Sequence, residues 1–189
     1  MARIRALAGL TLVLLSACAG VRDTAEETAS AQALAEPCLA TPAEPEGANY
    51  LPDAPFKDVI YPPGMRGVRL VMSGTIFADD CRTPLDGAIM DVWQVDAQGH
   101  YDFSDRFVLR GKVRTDERGR YQFETIVPAQ YGSRPPHMHL KISHPDAAIL
   151  TTQLYFLGND NGGVNPALVL GGRRDDGAIY ATFDFVLGR

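Results

Sequence analysis

Val113-Arg-Thr-Asp-Glu-Arg-Gly-Arg-Tyr-Gln-Phe-Glu-Thr-Ile126 reads as two β-strands about a turn. Val113–Thr115 and Tyr121–Ile126 supply β-branched and aromatic residues, Asp116–Gly119 supplies turn chemistry, and Pro128 stops the second strand. The spacing predicts a hairpin. The same pattern repeats outward. Val68–Phe77 is a strand, Ala78-Asp-Asp80 and Thr83-Pro-Leu-Asp-Gly87 form a turn region, and Ala88–Val95 returns, predicting a first hairpin. Later strands are expected over residues 137–143, 152–156 and 179–186, while 160–178 carries no signature: it could line the mouth of a pocket, but a solvated loop is the preferred reading. No segment sustains a helical apolar period, so the fold is predicted all-β, a β-sandwich or partly closed barrel.

The N-terminus pairs Arg3 and Arg5 with an apolar run from Ala6 to Leu15, then Leu15-Ser-Ala-Cys18. This is too short for a membrane-spanning helix and reads as a secretory signal over 1–17. Leu-Ser-Ala-Cys matches the bacterial lipoprotein box, which predicts lipidation of Cys18. An ordinary signal cleaved after a small residue is the alternative. Ala19 after the cysteine points to the outer membrane, so a cell-envelope location through a lipid anchor is expected. Residues 18–37, rich in Ala, Glu and Thr, read as a disordered tether, leaving 38–189 as one domain.

Acidic residues outnumber basic ones, 23 to 18, and no Lys/Arg cluster stands out, which argues against nucleic acid as a partner. Cys38 and Cys81 remain after the lipid site. In an oxidising compartment they could pair and pin the leading segment to the first hairpin; two buried free thiols are the alternative.

Tyr101, Tyr131, His137 and His139 are the candidate metal ligands. The last three fall in Tyr131-Gly-Ser-Arg-Pro-Pro-His137-Met-His139. Two histidines two apart on a strand leave the same face. Pro135 and Pro136 stiffen the approach. Phenolate is a hard anionic donor, and two of them favour a ferric ion, with imidazole adding no charge. Read alone, a His-x-His is also compatible with zinc or copper, and a tyrosine beside a turn with simple packing. His100 and His144 are left outside the site, and Trp93, mid-strand, is expected in the core.

The motifs occur in an order that resembles the intradiol ring-cleavage dioxygenases. They are Cys38–Gly47, Gly87–Gln94 with Asp96–Tyr101, Thr115–Phe123, Ile126–Tyr131, Arg134–His139 and Thr152–Phe156. The resemblance implies a β-sandwich of that family's core type and Fe(3+) bound by Tyr101, Tyr131, His137 and His139. It further implies a catechol-type substrate with O2, ring cleavage between the two hydroxylated carbons, and a cis,cis-muconate-type product of aromatic catabolism. Tyr131 would be the ligand that gives way to substrate, Arg134 the cation facing negative charge developing on the ring, and Gln153 a hydrogen-bonding group near the substrate.

The N-terminal helical region of catechol-specific members has no counterpart here, so the secreted members are the nearer match. Met138 stands where a β-branched residue is usual. A competing reading comes from Gly74–Asp80, Pro84–Ala88 and Thr115–Phe123, which also resemble carboxypeptidase-regulatory or transthyretin-like modules. Such a lipoprotein would bind carbohydrate or peptide and catalyse nothing.

Overall fold

The computed structural model describes residues 37–47, 49–156 and 163–189. The leader, Cys18 and nearly all of the predicted tether lie outside the described residues. Pro37–Arg189 form one compact unit. Among the described residues no helix is long and apolar enough to cross a membrane.

Among the described residues, ten strands build two facing sheets: β1 Arg69–Phe77, β2 Ile89–Gln94, β3 Arg110–Arg114, β4 Arg120–Ile126, β5 His137–His144, β6 Ala147–Phe156, β7 Val169–Leu170, β8 Gly172–Asp175, β9 Ala178–Thr182 and β10 Phe185–Val186. A 3-10 turn, Pro166–Leu168, precedes β7. One sheet runs β10-β1-β9-β8, with β4 also paired to β1; the other runs β3-β2-β5-β6-β7. The fold is an all-β sandwich.

Both predicted hairpins need correction. β1 and β2 lie in different sheets, and so do β3 and β4. The Asp116–Gly119 turn is real: Asp116 Oδ1 accepts from the Arg118 and Arg120 amides. Its strands then diverge instead of pairing, because each has apolar residues to bury against the opposite layer. Gly119 is required at this crossing. Its φ is +68°, and a Cβ there would lie 2.9 Å from the Ile76 carbonyl. The Thr115 hydroxyl ties the two crossings together, donating to the Leu85 carbonyl and accepting from the Ala88 amide.

Tight hairpins instead join β5 to β6 through Pro145 and Asp146, and β8 to β9 through Asp176 and Gly177. The strand expected over 152–156 begins five residues earlier, at Ala147. The one expected over 179–186 breaks into β9 and β10. The described part of the segment expected as a loop, residues 163–178, is not simply a loop: Leu168 and Leu170 are buried in the core, and β8 pairs with β9. All four β8 residues are exposed, with Arg173 bonded to Asp175, so hydropathy gave no strand signal.

The core lies between the sheets. Leu70, Met72 and Ile76 meet Met90, Val92, Met138, Leu140, Ile142 and Leu154. Strand alternation therefore sends Trp93, His137, His139 and Gln153 to the other face of the β3-β2-β5-β6-β7 sheet. Trp93 is buried as expected, but on that outer face and not in the sandwich core.

Candidate metal centre

Three of these residues form a row across neighbouring strands. Trp93 on β2 pairs with His139 on β5, and His139 pairs with Gln153 on β6. His137 pairs with Tyr155 one step along. A leading segment roofs the row. The Glu44 amide bonds the Thr151 carbonyl, Gln153 Nε2 donates to the Pro45 carbonyl, and Lys141 pairs with Glu46 at 2.7 Å. Gly47 then passes over His139 with φ +74°; a Cβ there would stand 3.2 Å from His139 Cε1, so close approach and left-handed backbone both call for glycine.

The candidate ligands converge. Tyr101 Oη lies 3.0 Å from His139 Nε2. The His137 and His139 rings are 4.9 Å apart, and the Tyr101 and Tyr131 rings 5.1 Å apart in an edge-on arrangement. His137 Nδ1 donates to the Pro135 carbonyl at 2.7 Å, which fixes the tautomer and leaves the Nε2 lone pair free. That Nε2 is buried with no hydrogen-bond partner. An unsatisfied buried imidazole nitrogen is costly unless something else occupies its lone pair.

Electrostatics favour neutral imidazoles. Burial pushes His139 down to about 3, helped by His137, Arg134 and Arg110, while the Glu46 carbonyl opposes the shift. Burial also lowers His137; Pro135 opposes this and Arg134 adds to it. Tyr101 is pushed up to about 12 by burial and by Tyr131, against the pull of Arg110 and Arg134. A phenol so protonated needs a strong Lewis acid to become an anionic donor.

The residues fit a ferric ion. Two neutral nitrogens and two phenols make a hard N2O2 set. No group of three or more His, Cys, Asp or Glu residues occurs among the described residues, so the set depends on its tyrosines.

Arg134 and Gln153 sit together. Arg134 Nη2 donates to Gln153 Oε1 at 2.5 Å and to Tyr155 Oη at 3.0 Å. Gln153 thus anchors the guanidinium. Tyr131 and Arg134 close a tight turn through reciprocal backbone bonds, and Tyr131, 41% exposed, stands at the rim. A hollow of about 300 Å³ lined by Glu44, Arg134, Tyr155 and Val164 opens beside them. Residues 163 and 164, from the segment that carried no signature, therefore do border the site. A larger hollow, about 580 Å³, lies against the other sheet and contains none of the candidate ligands. His100 is exposed beside Asp96, and His144 bonds the Asp86 carbonyl, so neither joins the group.

Sequence reading missed Tyr155, Gly47, Trp93 as the platform under His139, and Arg110. Tyr155 and Gly47 lie inside recognisable motifs; their alternation with Gln153 and proximity to Glu46 were the available signals. Cys38 and Cys81 are joined as a disulfide, with Cα atoms 5.7 Å apart.

The Dioxygenase family profile matches residues 57–166, which contain all four candidate ligands. An intradiol ring-cleavage dioxygenase of Aspergillus niger is 32% identical over 135 residues, 58% of this chain and 43% of its own length. A chlorocatechol 1,2-dioxygenase of a Pseudomonas species is 35% identical over 148 residues, 64% of this chain and 59% of its own. The chain thus spans about half the length of the curated relatives it matches. Among solved structures, the dioxygenase domain of a carbohydrate-binding fusion protein from Streptomyces sp. SirexAA-E aligns with TM-score 0.73 and 37% identity. That alignment covers 79% of this chain and 98% of that one. A 3-chlorocatechol 1,2-dioxygenase of Rhodococcus opacus aligns with TM-score 0.71 and 29% identity, covering 79% and 72%. With the profile spanning more than half the sequence and the site's geometry in place, the chain belongs to the intradiol ring-cleavage dioxygenase family.

Proposed function

We propose that this chain is a non-haem Fe(III)-dependent dioxygenase that cleaves a catechol between its two hydroxylated carbons. The product is a cis,cis-muconate-type diacid, formed in the breakdown of aromatic compounds. Both atoms of O2 end in the two new carboxyl groups, and no external reductant is consumed. The observation carrying this reading is the convergence of Tyr101 Oη on His139 Nε2 beside the buried, unpartnered Nε2 of His137.

When bound, the ferric ion supplies Lewis acidity and a one-electron centre at which catechol and O2 become reactive. The chain's residues do the rest. His137 and His139 hold their lone pairs inward, the first through Pro135 and the second through its stack on Trp93. Tyr131, at the rim, would be deprotonated when it holds the ion, and its phenolate would accept one of the two protons that a chelating catechol gives up. Arg134, held by Gln153 and Tyr155, faces the negative charge that develops on the ring as it opens. The leading segment excludes water from the row beneath it.

Oxygen uptake by iron-loaded protein with catechol, protocatechuate, hydroxyquinol and halogenated catechols, with product identification, tests this reading. A reddish protein and a ring-opened diacid are expected. A fully iron-loaded but colourless protein, or no uptake with any of these diols, rejects it. Membership of a family of enzymes also sets aside the non-catalytic module reading.

We further propose a cell-envelope location through lipid on Cys18, supported by Leu15-Ser-Ala-Cys18. Acyl labelling of the full chain and loss of the label in Cys18→Ser test it.

A further inference from the structure

Arg110 is 1% exposed, yet it has no acidic side chain within ion-pair distance among the described residues. Its charge is met instead by backbone oxygens and aromatic rings. Nε donates to the Asp102 carbonyl at 2.8 Å, and Nη1 to the Asn49 carbonyl at 2.6 Å. The guanidinium carbon lies 5.7 Å from the Tyr101 ring centre and 5.6 Å from that of Phe103. Nη2 is buried with no partner. A buried cation whose nearest carboxylate, Asp102, acts on it only from beyond ion-pair distance is expensive to keep.

The segment it grips is strained. Phe107 and Leu109 hold φ of 49° and 54°, a left-handed region that non-glycine residues adopt only at a cost. Asp102 caps the turn by accepting from Ser104 Oγ and the Val108 amide, and Lys57 Nζ donates to the Phe107 carbonyl. Without these clasps the loop would relax, and Tyr101 is at its leading end. Arg110 bridges this loop to the backbone at Asn49, whose side chain also bonds Tyr101, and that segment continues from the roof over His139.

We infer that Arg110 is a positioning residue that fixes Tyr101 over His139 by fastening the loop after Tyr101 to the roof at Asn49. Its two-pronged guanidinium reaches two carbonyls on separate segments, which a lysine's single ammonium does less well. The inference rests on the ligand assignment above and concerns a residue outside that set.

The test uses the full chain loaded with ferric iron and reads the tyrosinate charge-transfer band and the rate of iron loss to a chelator. Tyr131→Phe leaves Tyr101 as the one coordinating phenol. In that background Arg110→Gln is expected to shift and weaken the remaining band and to speed iron loss on the order of tenfold, with Arg110→Lys intermediate. In the metal-free wild-type background, Arg110→Gln is also expected to speed hydrogen exchange at the Val108 amide. An unchanged band and release rate, or unchanged exchange at Val108, overturns the inference. If Arg110→Gln fails to fold, Arg110→Lys takes its place in both measurements, and an unchanged band, release rate or exchange overturns the inference in the same way. A wild-type chain that takes up iron without any tyrosinate band is a distinct failure: it removes the ligand assignment, and the role of Arg110 with it.

Discussion

Trp93 lies flat against His139, with ring centroids 4.9 Å apart and planes 7° from parallel. Tyr50 also packs against the indole, at 5.0 Å and tilted by 57°. The indole therefore sets the plane of the imidazole whose Nε2 faces Tyr101. Trp93→Ala is expected to cost about 3–5 kcal/mol, since it empties a large buried volume. It should also weaken iron binding on the order of tenfold by letting His139 turn. Urea unfolding and iron stoichiometry measure the two effects. A variant that loses stability yet holds iron as tightly as wild type would show that the stack does not orient the ligand.

Gln153 joins Arg134 to the roof, accepting from the guanidinium and donating to the Pro45 carbonyl. Gln153→Ala leaves that partly buried carbonyl without its donor and frees Arg134 to turn away. A loss of roughly 1–3 kcal/mol in stability and of about 10²-fold in kcat is expected, with KM less affected. Steady-state kinetics check it. A change confined to KM would mean that Gln153 meets substrate directly instead of holding the arginine.

The ligands were legible because chemistry and spacing coincided at one place. His137 and His139 share a face by strand parity, and tyrosines beside turns can project from a rigid scaffold. Strand positions were legible for the same reason. Pairing was not: Asp116–Gly119 is a good turn whether its strands pair or part, and only the opposite layer's demand for Phe123 and Val113 decides. β8 was invisible because its stabilisation is backbone pairing with β9, with no buried side chain to mark it. Arg110 was equally hidden. A lone arginine at a strand start reads as solvated, and its burial arises from two carbonyls, at Asn49 and Asp102, that sequence does not bring together.

Acid should unfold the metal-free chain through its imidazoles. His139 is held at about 3 in the fold against an ordinary value of 6.5, mainly by burial. Below pH 6.5 the unfolded chain takes up a proton that the folded chain refuses. Stability is therefore full above that value and falls as pH drops toward 3. His139→Gln lacks this contribution, so its advantage or deficit relative to wild type must change with pH. Urea midpoints at about pH 7 and about pH 4 expose the difference. Parallel curves for the two proteins would show that His139 is not held neutral.

The Cys38–Cys81 bridge closes a loop of 43 residues that contains the whole roof. Past Cys38, the Thr41 amide bonds the Val186 carbonyl, Thr152 Oγ1 donates to the Pro42 carbonyl, and the chain then reaches Gly47 above His139. Bonds at Glu44, Pro45, Glu46 and Asn49 hold the same segment further along, so the cross-link secures chiefly its leading end. Replacing both cysteines by serine restores loop entropy to the unfolded chain and is expected to cost about 4 kcal/mol. The native state should feel it too, because fraying that begins at Cys38 propagates to Pro45, the acceptor that holds Gln153. Iron loss to a chelator should accelerate along with the fall in urea midpoint. A lower midpoint with unchanged iron loss would confine the bridge's effect to the unfolded chain, and an unchanged midpoint would show that the roof is held by its hydrogen bonds alone.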